Sequence, residues 1–541
     1  MLDRVVFSSR LFVPIFALLL TVYDVRTAWL TVLVCIVAAL WKRSEPVLKM
    51  IDFLAEHPSK MAILYALMLA IGALGVYHND AFSMDEYAAV FQSKVFAAGH
   101  IYAHVPAGLI DWLVVPGFNG SFLFASRLTG YVIEGYQPGF ALLLAAFEFL
   151  HAPWLCNPVL SGIAVYLIYM ISVALSQDRR VGGWAMLFAI SSSSLAAYGI
   201  SYYSMQAHLV ANLAFAYLLI APTQRRAFCA GLIGSLALIL HNPFPHALFA
   251  APWVIYLIFD GRKRGYVFPL IAGYIPGVCA AIGWFALRAW ILPVTHSVGG
   301  VTGVGGGVFV FPDMDTLNLR AASTAKMLLW GSPCIFLFAI IGLSRSRSLD
   351  GVRLLGASAA TTFLGYFCVQ LDQGHGWGYR YFHSAYGAIP VLAAMAMRPR
   401  GGAMFDGLVP FAGAATFLGL VVLLPFQMAQ IESVVRRHAA QIPALKRPGA
   451  NIVFIKPTGG FYMGDLIQFD PFLRGGDLLL VSHGDLLDTK LVTTNWPAAK
   501  KIGSGPRLAH WFLGTEEMHP GVTLRQSFDE KTHTELREAA P

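Results

Sequence analysis

Two carboxylates stand side by side at Asp85 and Glu86, in the stretch "NDAFSMDEYAAVFQSK" (79–94), just after an apolar run over 61–77. Far along the chain, Arg380 stands in "DQGHGWGYRYFHSAYGAIP" (372–390). A carboxylate can take the proton from an incoming hydroxyl, and a guanidinium can pair bidentately with a departing phosphate. Each group also has a structural reading. Ser83 followed three residues later by Glu86 is a capping-box pattern, and an acid such as Asp85 in a first helical turn suits the helix dipole. Arg380, at the outer edge of an apolar run, can snorkel. On that face, however, it runs against the positive-inside trend, and ionised groups within spans generally serve function. It is the strongest single signal. Tyr379, Tyr381 and His383 flank it, and Asp372, His375 and Trp377 share its turn.

Three further stretches carry polar groups at the same level. In "EGYQPGF" (134–140), Glu134, Tyr136 and Gln137 precede a proline able to open a helix; Tyr136 equally fits an interfacial anchor. In "LILHNPFPHALFAAP" (238–252), His241, Asn242 and His246 can hydrogen-bond a phosphate or sugar, or simply build a proline turn. Histidines five apart do not share a helix face, so a zinc site there has little support. In "SYYSMQAHLVANLAF" (201–215), His208 and Asn212 lie four apart on one helix face. Hydrogen bonding between helices competes with a site role there.

The elements that must position these residues are membrane helices. Of 541 residues, 57% are hydrophobic and 13% charged, about half the charge of a soluble domain. Apolar runs long enough to span recur from Phe7 to Phe426. The first is followed at once by a second, with no small-residue cleavage site, which reads as a retained segment. The net charge of +8 comes from clusters between the runs, and topology and anionic headgroups account for these without nucleic acid. The six cysteines lie in or beside apolar segments and read as core residues. Candidate spans are 6–23, 27–41, 61–77, 136–150, 157–175, 182–199, 204–221, 226–241, 245–259, 266–291, 325–343, 354–371, 379–397 and 405–425. Every positive cluster falls inside only if 136–150 does not cross. It then reads as re-entrant or lying along the outer face, leaving about 13 crossings.

The expected architecture is an all-α polytopic membrane protein with a small soluble C-terminal α/β domain. It divides into a transmembrane hairpin over 1–60, a transmembrane module over 61–428 with the outer loop 78–135, and a polar domain over 429–541. Strand-like runs at 451–456 and 477–482 mark the last of these. The residues after Asp85 place Tyr87, Phe91 and Val95 on one face, as in an amphipathic helix at the interface. The glycine-rich 296–313 lacks the Lys-Ser/Thr of a phosphate loop.

Taken in order, these stretches resemble the GT-C fold glycosyltransferases, in particular the branch of protein O-mannosyltransferases and lipid A aminoarabinose transferases. "FSMDEYAAVFQSKVFAAGHIYAHVP" is similar to that branch's acidic opening signature, and "GYRYFHSAYGAIPVLAA" to its Arg-Tyr-x-x-Pro segment. "YQPGF" and "LHNPFPHALF" stand where the branch has Lys/His-Pro-Pro and Leu-Thr-Lys-Gly-Pro stretches. The resemblance covers roughly 61–400 and implies inverting transfer of one sugar from a polyprenyl-phosphate carrier, in a bacterial inner membrane. The acceptor would be a glycan, lipid or protein on the outer face, where the C-terminal domain also lies. Asp85 would be the base, Glu86 its acidic partner, and Arg380 with Tyr381 would lie near the donor phosphate. Gln137 and His241-Asn242 depart from the branch at positions usually cationic. Relatives differ in their need for a divalent cation, so the resemblance assigns none. A partly desolvated Asp85 would have a raised pKa suited to a base. The same charges would also suit a transporter or flippase of a lipid-linked sugar, or a non-catalytic polysaccharide-assembly subunit.

Overall fold

The computed structural model describes residues 19–291, 311–369, 376–398, 403–442, 450–474 and 477–514; Asp372, His375 and most of the glycine-rich stretch lie outside them. Among the described residues, five helices are long and apolar enough to cross a membrane: Val22–Leu40, Pro58–Gly75, Pro153–Ser176, Arg264–Ile291 and Gly407–Ala439. The run expected as one span over 182–199 is instead two helices, Arg179–Ile190 and Ser193–Gly199, meeting at 66°. The serines of "SSSS" (191–194) explain the break, because short hydroxyl side chains compete with the helical ladder. The Ser192 hydroxyl donates to Tyr386 OH at 2.9 Å, and Ser194 N donates to the Trp330 carbonyl at 2.8 Å.

Helices Met205–Ile220, Gln224–Ile239 and Phe244–Phe259 have 16 residues each. That is about 24 Å of helix, short of a hydrocarbon core of about 30 Å. Among the described residues, five helices, or six with the bent pair, have the length and composition of a span, and the expected count of about 13 crossings is not confirmed by them. The shorter helices pack into the same bundle, and the turns that end them bring polar residues inward. Helix Gly139–Glu148 has only ten residues, about 15 Å, half a bilayer core. It presses so closely on the Gln224–Ile239 helix that a Cβ at Gly139 would come within 2.7 Å of the Ile239 carbonyl oxygen.

Helix Met84–Ala97 is not half-exposed at an interface. Met84, Glu86, Tyr87, Ala88, Phe91, Gln92 and Val95 are all buried, so it is enclosed on nearly every side. Phe91 meets Phe469 edge-on at 5.3 Å, and Ser93 Oγ donates to Glu148 Oε1 at 3.3 Å. Gln92 joins the helix to the small sheet beyond it by accepting from Glu134 N at 3.0 Å. That sheet holds β1 (Ala103–His104), β2 (Leu123–Ala125) and β3 (Tyr131–Glu134) in the order β1-β3-β2, antiparallel throughout.

The C-terminal sheet holds β4 (Ala450–Ile455), β5 (Asp477–Val481), β6 (Lys500–Ser504) and β7 (Leu508–Gly514) in the order β5-β4-β7-β6. Ile452 and Phe454 on one face of β4 pack with Leu491 and Val492 of helix Asp485–Asn495. Val453 and Ile455 on the other face meet Met463, Leu466 and Ile467. Strands β4 and β5 are parallel, a pairing that a tight hairpin cannot make. Their connection leaves the sheet and runs over the start of the Met84–Ala97 helix.

Candidate functional site

Asp85 is the second residue of its helix. Arg380 Nη1 donates to Asp85 Oδ2 at 2.7 Å, and the Tyr136 hydroxyl donates to Asp85 Oδ1. The Asp85 side chain keeps 21% of its surface exposed, against 8% for Arg380. Arg380 opens the short turn Arg380–Phe382, entered through Gly378 at φ +77°, a conformation that favours glycine. Its guanidinium lies 5.1 Å from the Tyr203 ring centroid and 5.6 Å from that of Tyr381, the geometry of cation–π contact.

Tyr136 is held from both sides. Trp284 Nε1 donates to its carbonyl at 2.7 Å, and Arg288 donates to the neighbouring Gly135 carbonyl. Its ring packs on that of His241 at 3.8 Å, while Gln137 N donates to the His241 carbonyl at 3.0 Å. The stretches 134–140 and 238–252 are therefore joined at Asp85, with Arg380 closing the ring.

Burial alone would raise the Asp85 pKa. The Arg380 charge, the Tyr136 hydrogen bond and His241 outweigh it, so the carboxyl sits below its usual range. This corrects the expectation of a raised value: the partners that desolvate Asp85 also favour its charged form. Burial lowers His241 to about 4 despite Asp85, with Arg380 acting the same way. It is neutral at physiological pH.

Glu86, placed beside Asp85 by sequence, points into the fold and is fully buried. Its Oε1 accepts from Tyr202 N at 2.9 Å, and its Oε2 accepts from Ser83 N at 3.2 Å and Tyr77 OH at 3.3 Å. Glu86 thus closes the capping box and pins the helix start to the 200–203 turn. His246 is buried between Asn212 Oδ1 at 2.7 Å and Tyr274 OH at 2.6 Å. His383 lies 2.9 Å from Gln206 Oε1, and Asn242 Oδ1 accepts from Phe244 N at 3.1 Å in its own turn. Tyr381 stacks on Tyr366 at 5.0 Å. His208, Tyr379 and Gln137 are more open chemically. Both His208 ring nitrogens, the Tyr379 hydroxyl and Gln137 Oε1 are buried without a hydrogen-bond partner among the described residues.

Sequence reasoning missed several buried groups. Arg320 donates from Nε to the Tyr366 carbonyl at 2.9 Å and from Nη2 to that of Val369 at 2.7 Å. Lys326 pairs with Asp24 where each side chain is only 1% exposed, tying Val22–Leu40 to the 314–329 helix. A lone cation before or within an apolar run was the available signal for both. Asp465, whose Oδ1 accepts from Met84 N at 2.8 Å, has no local signal. Among the described residues no group of three His, Cys, Asp or Glu side chains is placed to hold a metal ion.

Three acids outside the spans are pushed up chiefly by burial: Glu86 to about 8, Glu134 to about 8 and Asp465 to about 7. Each holds its proton in the fold at a pH where the unfolded chain has released it, so stability falls as pH rises from about 4.5 through 8. The melting temperature of the purified protein should drop by several degrees between pH 5 and pH 8.5. Glu134→Gln should flatten that slope, because Glu134 Oε2 has no hydrogen-bond partner to lose among the described residues. A melting temperature that rises across this window would contradict the assignment.

No protein-family model matches the chain, and no curated protein matches it. Solved structures do. The crystal structure of ArnT from Cupriavidus metallidurans bound to undecaprenyl phosphate aligns with a TM-score of 0.51 at 11% identity, over 83% of this chain and 97% of that one. The same protein in its apo state aligns at 0.47 and 11% identity, over 83% and 98%. At this identity the likeness establishes the fold alone, and with its apolar helices the chain is an integral membrane protein with the fold of ArnT.

Proposed function

Proceeding from the ArnT fold, we propose that this protein is a glycosyltransferase that moves a sugar from a polyprenyl-phosphate carrier to an acceptor hydroxyl at the outer face of a bacterial inner membrane. The observation that carries this reading is the 2.7 Å ion pair between Arg380 and a partly exposed Asp85. A lipid-linked donor keeps its tail in hydrocarbon and its sugar in water, so its reacting bond belongs at the level where that pair sits. ArnT, whose structure was solved with undecaprenyl phosphate bound, shares the fold.

Asp85 takes the proton of the acceptor hydroxyl as its oxygen attacks the anomeric carbon. The carbon–phosphate oxygen bond breaks with inversion, and the polyprenyl phosphate leaves with the electron pair. Arg380 neutralises that charge, the role that preorganised cations play at developing anions. The guanidinium rests on Asp85 in this fold. Moving onto the donor phosphate relieves Asp85 of the charge that depresses its pKa, so the base gains strength as the donor arrives. Tyr136 keeps its hydroxyl on the other carboxylate oxygen and fixes the orientation of Asp85. His208, Gln137 and Tyr379 supply unused polar atoms for the sugar or phosphate. The soluble domain lies on the outer side in this reading.

The test is release of free polyprenyl phosphate from a panel of polyprenyl-phosphate sugars by the purified protein in proteoliposomes, with outer-membrane lipid and glycan fractions as acceptors. Release that depends on an added acceptor supports the reading. Labelled donor that crosses the bilayer intact, with no product under any acceptor, would replace it with transport.

A further inference from the structure

The first amides of any helix lack partners within it, and their satisfaction decides how firmly the first turn is held. At the Met84–Ala97 helix that first turn carries Asp85. Glu86 N and Tyr87 N donate to the Ser83 carbonyl, at 3.0 Å and 2.9 Å. Met84 N has no such partner nearby in sequence and donates at 2.8 Å to Asp465 Oδ1, in the connection between β4 and β5.

The contact is not isolated. Gln468 Nε2 donates to the Ala81 carbonyl at 2.6 Å, just before the helix. One turn into the helix, Tyr87 OH donates to the Phe469 carbonyl at 2.5 Å and accepts from Phe469 N at 2.8 Å. Phe469 also packs against Phe91, and Lys94 lies 3.9 Å from Asp470. The segment 465–470 therefore runs alongside the helix from its cap to its third turn. On its far side the same connection supports the C-terminal sheet through Met463, Leu466 and Ile467. It couples two modules whose sequences give no hint of touching.

We infer that the C-terminal domain is a positioning element of the transfer site, with Asp465 capping the helix that carries Asp85 from a distant part of the chain. The inference rests on the reading of Asp85 as the base and goes beyond it, because it assigns the soluble domain a part in the membrane-level chemistry rather than in acceptor capture alone. Asp465 touches no reacting atom. Its Oδ1 fixes the Met84 amide, and through it the first turn, at a position where small displacements of a base are costly. An asparagine side chain offers the same oxygen to an amide and is an equally good cap, whereas alanine offers none.

The test compares Asp465→Ala with Asp465→Asn in the full-length protein in nanodiscs, reading hydrogen–deuterium exchange and sugar transfer. Asp465→Ala should speed exchange of the first-turn amides of 84–97 about tenfold, with exchange in the 156–176 helix unchanged. It should lower kcat about tenfold, with KM for the donor held within about twofold. Asp465→Asn should stay within about threefold of the parent in both readouts. Gln468→Ala, which removes the bond to the Ala81 carbonyl, should move both in the same direction by a smaller factor, and it decides the matter if Asp465→Ala does not fold. Unchanged exchange at 84–97 in the alanine variants, or an asparagine variant as damaged as alanine, overturns the inference. If the parent transfers no sugar from any donor, the functional reading falls, while the exchange data still decide whether the clamp exists.

Discussion

Asp85→Asn lowers sugar transfer by about 100- to 10,000-fold, the span that a general base contributes. The substitution keeps shape and volume. It leaves one acceptor oxygen for the Tyr136 hydroxyl or the Arg380 guanidinium, and it removes the charge that takes the proton. Donor affinity is expected to hold or improve, since Arg380 is then free of its carboxylate and available to phosphate. The measurement is single-turnover transfer from a saturating polyprenyl-phosphate sugar, with lipid binding followed separately by native mass spectrometry. A rate within about threefold of the parent, in protein of unaltered melting temperature, would remove Asp85 from the chemistry.

Arg380→Ala should cost about 100- to 1,000-fold in kcat/KM, the scale of losing one preorganised group at a developing anion. Arg380→Lys should recover only part of this, because a lysine cannot reproduce the planar fork or its packing between Tyr203 and Tyr381. A second signature follows from electrostatics. The Arg380 charge is the largest influence holding the Asp85 pKa down against burial. In the alanine variant that pKa rises, Asp85 becomes protonated at a higher pH, and the acid limb of the residual rate moves upward. The parent should keep its activity to a lower pH than the variant does. Stability shifts in the same experiment, since an uncompensated buried charge costs up to about 3–5 kcal/mol, discounted because Asp85 is 21% exposed. Rates are therefore compared at a temperature where both proteins are folded. An alanine variant of parental activity, or one whose acid limb does not move, would place the phosphate elsewhere.

What was legible in the residues was decided locally. Hydropathy over windows of spanning length marked the membrane bundle. Ser83 and Glu86 marked a helix start that the structure keeps, with Glu86 reaching back to the Ser83 amide at 3.2 Å. The strand-like run at 451–456 marked β4. Arg380 stood out because a cation at the outer edge of an apolar run needs a reason, and the shortness of Gly139–Glu148 accords with a segment that does not cross.

The remainder required the chain to be folded. Asp85 and Arg380 are 295 positions apart, and no periodicity links them; the packing of the bundle brings them to hydrogen-bond distance. That packing also reverses the direction of the Asp85 pKa, because desolvation acts through the neighbourhood as a whole while the ionic partner acts through one contact. It turns Glu86 inward to brace the helix, and it brings Asp465 from another domain to cap the residue before Asp85. Hydrophobicity and helix signals are carried within a few residues and are written along the chain. Charge pairing and burial depend on distances in space, and only the tertiary structure sets those.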